Sequence, residues 1–279
     1  MTPEEHLRSG DLDAALAALQ DRIRANPAEV KLRIFLFQLL CVLGDWKRAI
    51  NQLKVCGELS PAALPMCQTY REAIICEVYR EKVFAGEKEP LVFGDPSEWM
   101  AHLMEALKLL AQGHPDDAAK LRDKAFDAAP ASPGMINGEK FEWISDADMR
   151  LGPCFEAIVN GRYFWVPFSR VKQLDFEAPT DLRDAIWMPA TLTLPNEGQV
   201  VALLPTRYPG TERTGTAAEK LSRATSWTDA GAETFVGSGQ RLWTTDNNEV
   251  PLMEARSLTI VGAEAEAEPA APDESGENG

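Results

Sequence analysis

The chain reads as an α+β protein, with tetratricopeptide-like helical repeats first and a mainly antiparallel, small barrel-like β domain after them. Three observations predict this. A Gly…Ala…Pro frame recurs through the first 131 residues. Beyond Pro133 the texture changes to short runs rich in Val, Thr, Trp and Pro. The length, 279 residues, lets two ordinary domains each bury a core. The organisation expected is a helical repeat domain over 1–131, a β-rich domain over 135–262 and an acidic disordered tail over 263–279.

The repeat frame is Gly10-Asp11 with Ala15 and Pro27, Gly44-Asp45 with Ala49 and Pro61, and Gly113-His114 with Ala118 and Pro130. In each case Ala follows Gly by five residues and Pro follows it by seventeen. The steps between glycines are 34 and 69 residues, the period of a helix–turn–helix repeat and about twice that period. Glycine allows the sharp turn, the small Ala lets two helices approach, and Pro stops the second helix. Apolar stripes support the pairing: Leu12, Leu16, Leu19 and Ile23; Ile34, Phe37, Leu40 and Cys41; Leu103, Leu107 and Leu110. Residues 62–85 read as one long helix without a Gly-Asp turn. A loop over 86–97 follows, broken at Gly94-Asp95-Pro96, with Ser97 as a candidate N-cap. Such arrays hold a peptide or helix on their concave face. Here that face would carry Lys31, Ile34, Gln38 and Cys41, then Met100, Leu103, Leu107 and Leu110, unless these residues pack on the long helix instead.

After Ala131-Ser132-Pro133-Gly134 the helical periodicity stops. Phe155–Val159 and Arg162–Val166 flank Asn160-Gly161, which suits a type I′ hairpin turn. Further strands are expected at 174–176, 186–194, 200–204, 224–227, 240–244, 250–253 and 257–261, with a hairpin turn at Asn196-Glu197-Gly198 and a short helix at 216–221. Gly237-Ser238-Gly239 reads as a turn. Many short strands without intervening helices favour an antiparallel sheet or small barrel over a parallel α/β sheet.

Charge narrows the function. Lys and Arg number 28 against 43 Asp and Glu, a net −15, and the stretch 263–279 holds six of the acids and no base. An acidic chain gains nothing from counterion release on nucleic acid or from anionic lipid headgroups, so neither partner is expected. The opening residues lack the basic and apolar regions of a signal peptide, and no apolar run reaches the ~20 residues of a spanning helix; a cytoplasmic protein is expected. The five cysteines, Cys41, Cys56, Cys67, Cys76 and Cys154, contain no CxxC pair and read as buried thiols. All three histidines lie in the helical half, so the β half has no imidazole for a nucleophile or a zinc site. No metal or cofactor is expected. Two acidic clusters remain, Asp146 and Asp148 with Glu156, and Asp181 with Asp184. Paired carboxylates can serve as acid and base or hold Mg²⁺. Interleaved Arg150 and Arg183 instead favour ion pairs and turn caps. The acid/base or metal-dependent enzyme stays as the alternative reading.

Four motifs follow in order: Trp143-Ile144-Ser145-Asp146-Ala147-Asp148-Met149-Arg150-Leu151-Gly152-Pro153 with Glu156; Asn160-Gly161-Arg162-Tyr163-Phe164-Trp165-Val166-Pro167; Pro179-Thr180-Asp181-Leu182-Arg183-Asp184-Ala185-Ile186-Trp187; and Pro205-Thr206-Arg207-Tyr208-Pro209-Gly210. Together they resemble the ImpE family of type VI secretion accessory proteins, whose members are also called TagJ or SciE. The resemblance implies a non-enzymatic adaptor that binds the small sheath subunit, TssB, and links it to ClpV, an AAA+ unfoldase. It carries over no catalytic residue. The signature residues are expected to define the fold or an interface, with Trp143, Trp165 and Trp187 as core aromatics. Arg207 and Tyr208 read either as loop contacts or as core ion-pairing residues.

Overall fold

The computed structural model describes residues 1–94 and 97–263; the expected break at Asp95-Pro96 and the acidic tail from residue 264 lie outside them. The first half forms α1 (Pro3–Ser9) and α2 (Leu12–Ala25), α3 (Val30–Val42) and α4 (Trp46–Leu59), a long α5 (Leu64–Phe84), and α6 (Glu98–Ala111) with α7 (Pro115–Ala128). The three frame glycines each sit at a turn between paired helices, with φ of 81°, 72° and 82°. Ala15, Ala49 and Ala118 are buried, as close helix approach requires. In the first two repeats the Asp after Gly is the N-cap, its side chain accepting from the backbone N–H of Ala14 or Arg48. The third repeat replaces it with His114 followed by Pro115 at the first helical turn. Ser97 is the N-cap of α6, but its side chain makes no capping hydrogen bond.

A two-residue strand, β1 (Leu91–Val92), leaves the helical half. Past Ala128 the chain turns to strands: β2 (Gly134–Ile136), β3 (Glu139–Phe141), β4 (Ile144–Asp146), β5 (Cys154–Val159), β6 (Arg162–Pro167), β7 (Gln173–Phe176), β8 (Trp187–Thr193) and β9 (Gln199–Pro205). Short helices α8 (Thr211–Thr214) and α9 (Ala217–Lys220) precede β10 (Thr225–Asp229), β11 (Phe235–Gly239), β12 (Leu242–Thr245), β13 (Glu249–Pro251) and β14 (Ser257–Ile260). A nine-stranded sheet runs β1-β6-β5-β9-β8-β7-β14-β2-β3. Only the β1–β6 pair in it is parallel. Asn160 and Gly161 turn the β5–β6 hairpin with φ of 49° and 69°, as a type I′ turn demands. Smaller sheets are β13-β12-β4 and β10-β11.

Two expectations need correction. The main sheet does not close into a barrel: its order ends on β1 and β3, which do not pair with each other. Its edge strands, β1 and β3, are only two and three residues long, so few backbone groups are left unpaired at the open edges. Gly237-Ser238-Gly239 is not a turn but the end of β11, opposite Thr225–Trp227. The glycines there make room: a Cβ on Gly237 would lie 2.2 Å from the Tyr208 ring.

Cover on both faces explains β5, all six of whose residues are buried. Alternation sends Phe155, Ala157 and Val159 to one face and Cys154, Glu156 and Ile158 to the other. The first set joins a core with Phe168 and Trp243 of the small-sheet side, the Phe155 and Phe168 ring centroids lying 5.7 and 5.2 Å from that of Trp243. The second set joins the helices: Cys154, Ile158, Tyr163, Trp165 and Trp187 belong to one apolar cluster with Leu19, Phe37, Ile74 and Met100. Each large apolar side chain buried there contributes roughly 1.5–3 kcal/mol, so the two halves share a substantial core.

Gly152 tests how tightly the halves fit. It has φ +48°, and a Cβ there would lie 2.3 Å from the ring of Phe126 on α7; Gly113, with φ +82°, has open space. Gly113→Ala should cost only the left-handed backbone penalty, about 1 kcal/mol. Gly152→Ala adds overpacking of roughly 1–3 kcal/mol. Urea unfolding of both variants should therefore show the larger loss for Gly152→Ala; equal losses would mean the contact with α7 yields freely.

Candidate functional site

The face of β5 and β6 that meets the helices carries charge. Glu156, flanked in register by Trp165 of β6, points at α5, whose buried face reads Ala73, Ile74, Cys76, Glu77, Arg80 and Val83. The side chains of Arg80 and Glu156 meet in a bidentate pair, Nε to Oε1 at 2.6 Å and Nη2 to Oε2 at 2.7 Å. Arg80 also donates to Glu77 at 3.2 Å and to the Arg207 carbonyl at 2.8 Å. Arg241, before β12, donates to Glu156 and to Asp146, and to the Pro205 carbonyl at 3.0 Å. Tyr163 donates its hydroxyl to Glu156 and accepts from the Trp165 indole at 2.9 Å. The Trp187 indole donates to Glu77, also at 2.9 Å. Arg80, Glu156 and Arg241 are almost wholly buried.

Around this centre the signature residues tie turns and backbone. Asp148 holds Arg150 through Nε at 2.8 Å and accepts from the Gly237 N–H at 3.0 Å. Asp146 accepts from the Asp148 N–H at 2.9 Å. Arg183 pairs with Asp181 and lies 4.9 Å over the Tyr70 ring of α5, while Asp184 caps the Thr180 and Asp181 N–H groups. Arg207 spends its guanidinium on carbonyls: Val42 and Lys220 at 2.8 Å and Cys41 at 3.2 Å. Tyr208 is buried, its hydroxyl bonded to the Leu242 backbone. Loop contacts and core ion pairing are the two readings open for Arg207 and Tyr208; both residues are buried, but their hydrogen bonds go to backbone groups and not to carboxylates. Trp165 and Trp187 are core aromatics; Trp143 is not, being 42% exposed. It sits between β3 and β4, outside any strand.

The expected partner face is placed as follows. Gln38, Cys41, Met100, Leu103 and Leu107 are buried, Ile34 and Leu110 are half-buried and Lys31 is exposed. The chain's own second half covers much of this face: Cys154 Sγ lies 3.2 Å from the Met100 sulfur, and Arg207 bonds the end of α3. Three network residues, Glu77, Arg80 and Arg241, were missed by the sequence reading. The signal for the first two was available, since charges at i and i+3 interrupt the apolar face of the long helix. Arg241 had no such signal.

Electrostatically the centre behaves as one unit. Burial pushes Glu156 up, but Arg80 and Arg241 outweigh it and hold its carboxyl at about 2. Burial pushes Asp146 up to about 7, with Arg241 opposing and Asp148 adding to the rise. Burial also raises the thiols of Cys41 and Cys154 well above the usual range, so neither is a thiolate nucleophile near neutrality. The carboxylates of the alternative enzyme reading are thus engaged by guanidinium and backbone N–H groups. Chemically the arrangement is a clamp.

A clamp of this kind adds little over an apolar core, yet breaking it leaves charges buried and unpaired at a cost of about 3–5 kcal/mol. Glu156→Gln should therefore destabilise by that order in urea at neutral pH. The Glu156 carboxyl falls from an ordinary 4.5 to about 2 on folding. Its contribution, about 3 kcal/mol, is complete above pH 4.5 and lost as pH falls through about 2. The stability gap between native protein and variant should narrow over that window; a gap independent of pH would show that Glu156 is not held ionised.

Three comparisons bear on what the clamp belongs to. The model of the family described as ImpE protein matches residues 138–259, which contain the signature and Arg241. A protein of Pseudomonas aeruginosa (strain PAO1), the type VI secretion system accessory component TagJ, is 53% identical over 265 residues, 95% of this chain and 93% of that protein. The crystal structure of protein VPA1032 from Vibrio parahaemolyticus superposes with a TM-score of 0.84 at 25% identity, over 93% of this chain and 97% of that one. With the family model matching residues 138–259 and a relative 53% identical over 95% of the chain, the chain belongs to the ImpE family.

Proposed function

We propose that this protein is a non-enzymatic accessory component of a type VI secretion system. It acts in the cytoplasm as an adaptor, binding the small sheath subunit, TssB, and linking it to the ClpV unfoldase. The observation that carries the reading is the 53% identity to the accessory component TagJ across 95% of the chain. Two structural facts support it. The buried carboxylates serve as ion-pair partners. No helix among the described residues is long and apolar enough to cross a membrane.

A surface for a sheath-subunit helix lies on the outer side of α5. Leu64, Ile75 and Val78 are 53%, 47% and 39% exposed there, on one stripe of the helix by their spacing. Ile75 and Tyr79 open onto a recess of about 250 Å³ with Leu91 and Tyr163. An amphipathic helix buries its apolar face in such a recess. The concave-face residues Lys31 and Ile34 form the second candidate surface.

A pulldown of purified TssB with full-length protein discriminates the two. The Ile75→Glu/Val78→Glu variant should lose capture, by tenfold or more in Kd for two buried anchors of about 1–2 kcal/mol each, with its melting curve intact. Retained capture by that variant, with loss in Ile34→Glu, would move the site to the concave face. Capture by neither variant nor native protein would remove TssB as the partner.

A further inference from the structure

The hairpin of β10 and β11 has two edges, and the chain uses only one of them. Within the hairpin, the Gln240 N–H donates to the Ala224 carbonyl at 2.9 Å and the Ala230 N–H to the Thr234 carbonyl at 2.8 Å. With Thr225 opposite Gly239 and Asp229 opposite Phe235, these bonds set the phase of the ladder. Ser226 and Thr228 bond to β11, while the N–H and C=O groups of Thr225, Trp227 and Asp229 point away from it. On β11 the outward groups are taken up by the rest of the chain. The Phe235 carbonyl accepts from the Met149 N–H at 3.2 Å, the Gly237 N–H donates to Asp148 at 3.0 Å, and the Gly239 N–H donates to the Thr211 hydroxyl at 2.9 Å. On β10 the outward groups bond to no other group among the described residues.

This edge is open to solvent. Residues 226–229 are exposed, Trp227 by 38%, with its ring centroid 5.4 Å from that of Tyr208. Its register is continuous and its five residues include neither proline nor lysine, so the devices that normally blunt an edge strand are missing. Charge is graded along it. Arg223, just before the strand, is exposed and donates to the backbone carbonyls of Leu7 and of Arg8, itself exposed. Asp229 ends the strand, and Glu233 follows across the turn; both are exposed. The turn packs on α7, where a Cβ on Gly231 would lie 2.8 Å from Pro115, beside exposed Asp116 and Asp117. A matching strand therefore brings acid to the start of β10 and base to its end. The stretch 263–279 has no base to offer. A second β10, running antiparallel, has both.

We propose that β10 is a self-association surface, along which two copies of this chain pair antiparallel about a two-fold axis. The two hairpins then form one sheet, β11-β10-β10-β11. A single antiparallel register pairs all five residues. It sets Trp227 against Trp227 of the second copy, Thr225 against Asp229 and Ser226 against Thr228, with no like charges directly opposite. The outward groups of residues 225, 227 and 229 face their counterparts in this register, as hydrogen-bonded pairs require. The contact is isologous and small, so association is weak and rises with concentration. The proposal does not rest on the adaptor reading.

The test is sedimentation of the full-length protein over a concentration series, combined with hydrogen exchange. The mass should rise from 30.7 kDa towards twice that value, and the Trp227 and Asp229 N–H groups should gain protection as it does. Trp227→Pro removes an outward donor and no bond to β11; it should raise the dimer Kd about tenfold or more. Thr225→Lys, facing Asp229, should tighten the dimer about two- to tenfold and Thr225→Asp should weaken it by as much, since each change acts twice across the axis. The Thr225 pair reads the register even where Trp227→Pro disturbs the hairpin itself. A monomer at every concentration, or a dimer indifferent to all three substitutions, would overturn the proposal. Amide protection independent of concentration would overturn it too, assigning the edge to residues 264–279 if their deletion abolishes that protection. So would protection that appears only on addition of TssB, which would assign the edge to a strand of that partner.

Discussion

Glu156 is ionised in a place where no water can reach it, and the neighbouring structure is arranged around that fact. An isolated carboxylate buried there would cost many kcal/mol. Two guanidiniums and a tyrosine hydroxyl offset this, and they come from three separate regions: α5, β6 and the segment before β12. Only one relative placement of those regions satisfies all three. The apolar contacts between helices and sheet supply the driving force, since they are numerous and non-directional. The clamp contributes geometry, because a shifted docking would leave charges unpaired.

The same constraint explains the layered build. A sheet with one face to solvent would alternate polar and apolar residues, as antiparallel sheets commonly do. Here β5 is buried on both faces, with helices on one side and the β4-β12-β13 sheet on the other. The long α5 sits where a regular repeat would have a turn, and that irregularity puts Glu77 and Arg80 against β5 and β6. In a regular solenoid this face would be open to a ligand. In this protein the second half of the chain covers much of it, while Leu64, Ile75 and Val78 on the outer side of α5 stay exposed.

Much of the fold was legible in local chemistry. Gly10, Gly44 and Gly113 mark turns because positive φ excludes most other residues, and the spacing to Ala and Pro reports helix packing and helix ends. Asn160-Gly161 announces its hairpin for the same reason. The strands that escaped notice, β1, β2, β3, β4 and β11, are two to five residues long. All but β1 carry Gly or charged residues, which weaken the local strand signal, and β1 and β4 pair only with strands distant in the chain. Trp143 shows the converse error: a large aromatic suggests a core until the loop that holds it is seen to turn outward.

By itself, the sequence determined the α-then-β order, the repeat period, the β5–β6 hairpin and the family signature. Each of these depends on backbone sterics or on residues close together in the chain. Tertiary structure alone decided which charges pair. Asp146 finds Arg241 across 95 positions, and Glu156 finds Arg80 across 76, while nearby Arg150 serves Asp148 instead. Tertiary structure also decided that the sheet stays open and that β10 keeps an unpaired edge. These outcomes depend on which surfaces meet when two separately patterned halves dock, and local periodicity carries no record of that.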